Sequence, residues 1–257
     1  MNINALRLAS LRRLPATLHL ASLRTLPATL QSQIRPESST SLTWSYVSCP
    51  GKWPLLGMSV GQLTDRAEQM YGDREAIVSV YQDIRRTFSQ VKEESERIAA
   101  GLIALRLQPG DRLGIWGPNS YEWYLTQLAA AKAGLILVNI NPAYRPDELE
   151  YCLNKVSVKA IICHETFKTS DYYQMLCELA PELPSSPRGD LRSSRVPYLK
   201  QVIFCSKRDL SGTYKFEDLY EAGDSSHIKA VERLSTKMQF DDPCSIQFTS
   251  VGTLNPF

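Results

Sequence analysis

The chain has 257 residues, with 29 Lys and Arg against 27 Asp and Glu and a formal net charge of +2. A hydrophobic fraction of 43% and a charged fraction of 22% are ordinary globular composition, enough for one large domain with a real core. The near-neutral balance excludes a polybasic nucleic-acid binder. No run of about 20 apolar residues exists to form a membrane-spanning helix; the nearest stretch, residues 128–138, carries Lys132.

The charge is unevenly placed. Residues 1–36 hold five arginines (Arg7, Arg12, Arg13, Arg24, Arg35), no lysine and no acid, which leaves a mildly acidic body behind a basic start. Arg, Leu, Ser and Ala enrichment without acid is the composition of a mitochondrial transit peptide, and it predicts delivery to the mitochondrial matrix. Arg12, Arg13 and Arg24 interrupt every apolar stretch that a secretory signal would need. The segment Leu-Ala-Ser-Leu-Arg-Arg-Leu-Pro-Ala-Thr-Leu, from Leu8 to Leu18, recurs with one change from Leu20 to Leu30. Two short copies interrupted by Pro15 and Pro27 make neither a solenoid nor a long helix. Residues 1–36 are therefore expected to be disordered, and residues 37–56 to be a linker.

From residue 57 onward, helix and strand signals alternate. Val60, Leu63, Ala67 and Met70 fall on one helical face, with Gly72 as a stop. Residues 76–81 read as a strand and residues 86–88 as its short hairpin partner. Ser89 is placed to cap a helix that buries Val91, Ile98, Leu102 and Leu105. Pro109-Gly110-Asp111 is a turn, followed by a short buried strand at 113–116. Ser120 is placed to cap a helix over 121–133, which Gly134 ends. Residues 135–140 form an apolar strand, Pro146 opens the next helix with Asp147 and Glu148 at its positive end, and 160–163 form another strand. A helix over 171–179, a proline-rich loop over 180–197, a strand over 201–205, helices over 216–222 and 228–234, and a strand over 244–248 complete the pattern. Apolar strands separated by amphipathic helices imply an α/β fold with a parallel sheet covered on both faces.

Most signature motifs fail their context. Gly57-Met58-Ser59-Val60-Gly61 spells the G-x-S-x-G of a serine hydrolase, with His164 and His227 as the available bases. That motif requires a buried strand before the serine, and only Leu55 and Leu56 precede it, so Ser59 also reads as a helix start. The dinucleotide pattern G-x-G-x-x-G, the Walker P-loop and H-E-x-x-H are absent. No two of the six cysteines are spaced C-x-x-C, and the adjacent Cys163-His164 pair is poorly spaced for zinc, so reduced thiols and no metal site are expected. The Lys and Arg residues of the body are interleaved with acids and read as a solvated surface. Trp116, Trp123 and Tyr124 read as core.

Three ordered segments resemble the adenylate-forming acyl-CoA synthetases. The first is Thr87-Phe88-Ser89-Gln90-Val91. The second runs from Gly110-Asp111-Arg112-Leu113-Gly114-Ile115-Trp116-Gly117-Pro118-Asn119-Ser120 through Ala131-Lys132-Ala133-Gly134 and Asn139-Ile140-Asn141-Pro142-Ala143-Tyr144 to Glu148-Leu149-Glu150-Tyr151. The third is Ile246-Gln247-Phe248-Thr249-Ser250. The likeness spans about residues 57–250, and the second segment is worded most like the mitochondrial medium-chain fatty acid–CoA ligases.

The resemblance implies that residues 57–257 form an incomplete N-terminal adenylation (AMP-binding) domain. It also implies a reaction in which a fatty carboxylate and ATP give acyl-adenylate and pyrophosphate, after which the CoA thiol displaces AMP, with Mg²⁺ sharing the phosphate charge. Thr249 and Ser250 match the opening of the family's phosphate loop, Thr-Ser-Gly-Thr-Thr-Gly, whose small residues let backbone N–H groups approach phosphate. Val251 then stands where glycine is expected, and Gly252 and Thr253 fit only after a one-residue shift. The loop's lysine and the family's later catalytic parts are not found in these residues, so no catalytic residue is named. Two readings are expected to compete: part of an acyl-CoA ligase, inactive as this chain, and a non-catalytic binding or regulatory fragment of the same family. A hydrolase using Ser59 is the third alternative.

Overall fold

The computed structural model describes Cys49 and residues 51–249. The arginine-rich segment 1–36, its repeat, and Ser250, Gly252 and Thr253 lie outside the described residues. The folded body belongs to one compact unit, Leu55–Phe257.

Helix α1 spans Val60–Tyr71. Ser59 caps it: the hydroxyl accepts from Gln62 N at 3.3 Å, while the Gln62 side chain accepts from Ser59 N at 3.0 Å. The expected apolar face is only partly used, for Leu63 and Met70 are exposed and the buried residue is Gly61. Strands β1 (Glu75–Ser79) and β2 (Ile84–Thr87) pair antiparallel as expected. Helix α2 (Phe88–Ala104) is capped by Thr87 with Gln90 rather than by Ser89, which lies in the first turn and donates to Glu68. The two candidate hydroxyls stand two residues apart in sequence, and it is Thr87, with extended backbone, that takes the cap position.

A sheet of six parallel strands follows, in the order β10-β4-β3-β5-β8-β9. Its strands are β3 (Arg112–Trp116), β4 (Ile136–Ile140), β5 (Val158–His164), β8 (Gln201–Cys205), β9 (Tyr214–Lys215) and β10 (Ser245–Gln247). Between them lie α3 (Tyr121–Lys132), α4 (Pro146–Lys155), a two-residue hairpin of β6 (Thr166–Phe167) and β7 (Ser170–Asp171), α5 (Tyr172–Leu179), α6 (Asp218–Ala222) and α7 (Ser225–Lys237). The strands β6, β7 and β9 carry no sequence signal, because two residues cannot display a period.

Alternation along the strands divides the core in two. Leu113, Ile115, Ala160, Ile162 and Ile203 face α2, α3, α6 and α7. Trp116, Val138, Ile161, Val202 and Phe204 face α4, α5 and the 180–199 connection, whose Leu183, Leu191, Val196 and Leu199 are buried. At about 25 cal/mol per Å² of apolar surface, these two layers dominate the stability of the body. The helix following β3 covers one face, and those following β4 and β5 cover the other. The chain therefore diverges above β3 and β4, the place where doubly wound sheets open a crevice at the carboxyl ends of their strands.

One charge contradicts the expected solvated surface. Lys132, 3% exposed, is buried at the end of α3, where its ammonium pairs with Asp65 of α1 and with Glu96 of α2 at 3.1 Å. An ammonium taken out of water requires such partners, and here they tie three helices together. Close approach matters nearby: a Cβ at Gly101 of α2 would lie 2.1 Å from the Leu219 carbonyl oxygen.

Candidate functional site

The divergence above β3 and β4 opens an outward-facing cleft of about 490 Å³ at the carboxyl ends of β3, β4 and β10. Three stretches of chain build most of it: the Gly117-Pro118-Asn119 loop after β3, the Asn141-Pro142 loop after β4, and Gln247-Phe248 at the end of β10. Trp123 of α3 and Phe167 of β6 add apolar walls; Trp123 is half-buried, packed against the core and also lining the cleft, whereas Trp116 is wholly buried. The polar lining is amide, from Asn119, Asn139, Asn141 and Gln247, and no described lining residue carries a charge.

The loops are held by side chains that reach out of the core. Trp116 and Tyr172 stack, with centroids 3.7 Å apart and planes 13° from parallel. Trp116 Nε1 donates to the Asn141 carbonyl at 3.1 Å, and the Tyr172 hydroxyl donates to the Pro142 carbonyl at 2.6 Å. Burial pushes the Tyr172 phenol well above its ordinary range, so it stays a donor across the physiological pH range. Asn141 closes the turn by accepting from Ala143 N at 2.9 Å.

The other loop is fixed by Ser120 and His164. Ser120 caps α3, accepting from Trp123 N at 3.1 Å, and its hydroxyl lies 2.9 Å from His164 Nε2. The Ser120 oxygen thus accepts from Trp123 N while its hydroxyl also meets the imidazole, so one side chain links the start of α3 to the end of β5. Burial lowers the His164 pKa below the ordinary 6.5, against a smaller opposing effect of Glu122, so the neutral ring is the resting form. The ring packs on Gly117, where a Cβ would lie 2.3 Å from His164 Cδ2. Asn139 of β4 donates to the Ser245 hydroxyl of β10 at 3.0 Å, while its Oδ1 is buried and has no hydrogen-bond partner.

Of the residues expected to bind phosphate, Thr249 is described. It is exposed, two positions beyond the end of β10 and next to the cleft-lining Phe248. Ser250, Gly252 and Thr253 lie outside the described residues. Ser59 serves as the cap of α1; His164 is engaged by Ser120, and His227 by Asp224 at 2.7 Å. Among the described residues, no group of three or more His, Cys, Asp or Glu stands close enough to hold a metal ion. No helix among them is long and apolar enough to cross a membrane. The Ser120–His164 pair and Asn139 escaped sequence reasoning. Ser120 was legible as a cap and His164 as a neighbour of Cys163 or a base for Ser59, not as partners of each other, and their 44-residue separation is closed by the parallel pairing of β3 with β5.

Strand order, two-sided cover and a loop-lined cleft at the switch point define a doubly wound α/β protein, with its cleft at the carboxyl edge of the sheet, where such folds generally bind ligands. The sequence profile described as AMP-binding enzyme matches residues 63–256, three-quarters of the chain, and the chain belongs to that family. It is 44% identical over 221 residues to the mitochondrial medium-chain acyl-CoA ligase ACSF2 of Danio rerio, covering 86% of this chain and 36% of the relative. Against the protein of the same name from Homo sapiens, identity is 43% over 213 residues, with coverages of 82% and 34%. The chain thus spans about a third of the length of these curated relatives. Among solved structures, the anthranilate CoA ligase AuaEII in complex with anthranoyl-AMP is similar, with a TM-score of 0.60 and 20% identity over 77% of this chain and 33% of that one. A long-chain-fatty-acid-CoA ligase from Archaeoglobus fulgidus gives a TM-score of 0.53 and 19% identity over 70% and 33%. At that identity the likeness establishes a shared fold.

Proposed function

We propose that this chain is the amino-terminal part of an ATP-dependent fatty acid–CoA ligase acting on medium-chain acids in the mitochondrial matrix. The observation that carries the reading is the 43–44% identity to ligases named for that activity over more than four-fifths of the chain. A further support is that Thr249, first residue of the expected phosphate loop, directly follows the cleft-lining Phe248 in the chain. The acid-free, arginine-rich segment 1–36 supports import into mitochondria.

In this reading the cleft contributes positioning. Carboxylate, nucleotide and thiol must be brought together in order, and rigid loops lower the entropy cost of doing so. The aromatic pair and the Ser120–His164 contact hold those loops. Phosphate charge must be met elsewhere, because the described lining is uncharged. Magnesium is expected with ATP, and no described carboxylate cluster is assigned to it. Val251 replaces the glycine of the loop, and a β-branched residue resists the positive φ that glycine allows.

The test uses two proteins. The first is this chain without residues 1–36; the second joins its residues up to Ser250 to the remaining length of the Danio rerio relative. Each is given ATP, Mg²⁺, CoA and octanoate, and AMP release is followed. Acid-dependent AMP release by the joined protein and none by the chain alone is the expected result. A joined protein that folds and stays silent sinks the ligase reading. Turnover by the chain alone sinks the inactivity expected of this chain and leaves the ligase standing.

A further inference from the structure

The amino end of the sheet carries an open groove of about 300 Å³, and its chemistry is unlike that of the cleft. It runs beside the amino end of β3, between the end of α2 and the second half of α7. Ala230, Arg233, Leu234 and Lys237 stand at i, i+3, i+4 and i+7 along one face of α7 and form one wall. Ile103 and Pro109 supply apolar surface on the other. Ile103, Ala230 and Leu234 are half-buried and Pro109 is exposed, so this apolar surface is within reach of a ligand.

The cations beside it are not neutralised. Arg233 and Lys237 are exposed, and neither has a carboxylate within ion-pair distance among the described residues. No residue lining the groove is acidic; Glu232, Asp241 and Asp242, which flank the two cations in sequence, do not line it. Asp111, close to the groove-lining Gln108, holds Lys159 at 2.7 Å and accepts from Gln108 N at 2.8 Å. An anion near the carboxyl end of a helix is opposed by the helix dipole. Here the Leu234 carbonyl accepts from Met238 N at 3.0 Å and the Ser235 carbonyl from Gln62 Nε2 at 3.1 Å, which leaves fewer bare carbonyls at that end. A guanidinium fork matches a carboxylate, and a lysine stem lies along apolar surface with its ammonium in water. An apolar wall bordered by two free cations therefore fits a molecule with one anionic end and one aliphatic chain. A small polar anion would leave the wall unused, and a neutral chain would leave the cations unused.

We propose that this groove binds a single-chain aliphatic carboxylate, with its headgroup on Arg233 and Lys237 and its chain along Ile103, Pro109, Ala230 and Leu234. The site lies at the end of the sheet opposite the cleft, and its recognition does not depend on the ligase reading.

Octanoate is the probe, titrated into the full chain without ATP or CoA and followed by calorimetry and by amide shifts. Saturable binding is expected, with shifts at residues 107–108 and 230–237. Affinity should rise about twofold to fourfold per methylene from hexanoate to decanoate, and 1-octanol should bind at least tenfold more weakly than octanoate. Arg233→Gln and Lys237→Gln, both at exposed positions, should each weaken octanoate about fivefold to tenfold. Lys229→Gln removes the same charge from α7 outside the groove and should leave binding unchanged. The proposal is overturned by no saturable binding, by shifts confined to the cleft loops at 117–119 and 141–142, or by equal affinity for 1-octanol. It is equally overturned by insensitivity to both groove cations in variants whose circular dichroism is native, or by an equal loss in Lys229→Gln, which would reduce the site to charge attraction. Binding to phosphatidylglycerol vesicles without binding of free octanoate would overturn it too, in favour of a membrane surface.

Discussion

The two ends of the parallel sheet are built on opposite plans. At the carboxyl end, short loops are pinned by groups rooted in the core: Trp116 and Tyr172 on the Asn141-Pro142 turn, His164 on Ser120. The polar lining is amide, and the apolar walls are largely aromatic. At the amino end, arginines stand on exposed connections and are held by surface carboxylates. The scaffold contributes one fixed amide there, Gln201, which donates to the Leu105 carbonyl. The difference teaches that one sheet can offer a rigid, neutral cleft and an adaptable, cationic one, because strand ends inherit rigidity from whatever packs beneath them.

Breaking the carboxyl end should therefore cost stability, whereas the charge-removing variants at the amino end should not. Trp116→Ala is the largest expected effect. It removes a fully buried indole, its stacking partner and the donor to Asn141, for a loss of about 3–5 kcal/mol in urea unfolding. A loss below about 1 kcal/mol would show that the loops hold themselves. Tyr172→Phe is milder and more selective. The stack remains and only the bond to the Pro142 carbonyl is lost, so about 1–2 kcal/mol is expected, with faster amide exchange confined to residues 141–144. Exchange rising throughout the domain would mean that the hydroxyl serves the core rather than the loop.

His164→Gln sharpens the comparison through pH. Folding lowers the His164 pKa through burial, so the native state favours the neutral ring. Its contribution is full above the unfolded value of about 6.5 and declines as pH falls through that value towards the lowered folded one. The urea midpoint of the parent should drop across that window, and the glutamine variant should show a shallower drop with little change near pH 8. Identical slopes would place the acid sensitivity in another group.

Much of the fold was legible in the residues. The helices and buried strands from β3 to β5 stand where periodicity put them, with Ser120, Gly134 and Pro146 marking their ends, because each signal is local. The same local logic misassigned Ser89, overstated the apolar face of α1 and took Lys132 for surface, since burial of a charge depends on Asp65 and Glu96 arriving from distant helices. The candidate site was less legible. Thr249 was marked by its resemblance to a phosphate loop, but the cleft beside it was not marked by any local pattern.

What the sequence determined by itself was the alternation of elements, the family they belong to and the departure at Val251, all of them properties of neighbouring residues. Only the tertiary structure decided which side chains meet: Ser120 with His164, and Trp116 with Tyr172. Those pairs are separated by dozens of residues in sequence, and it is the parallel register of the sheet, fixed by burial on both faces, that places them at a common strand end.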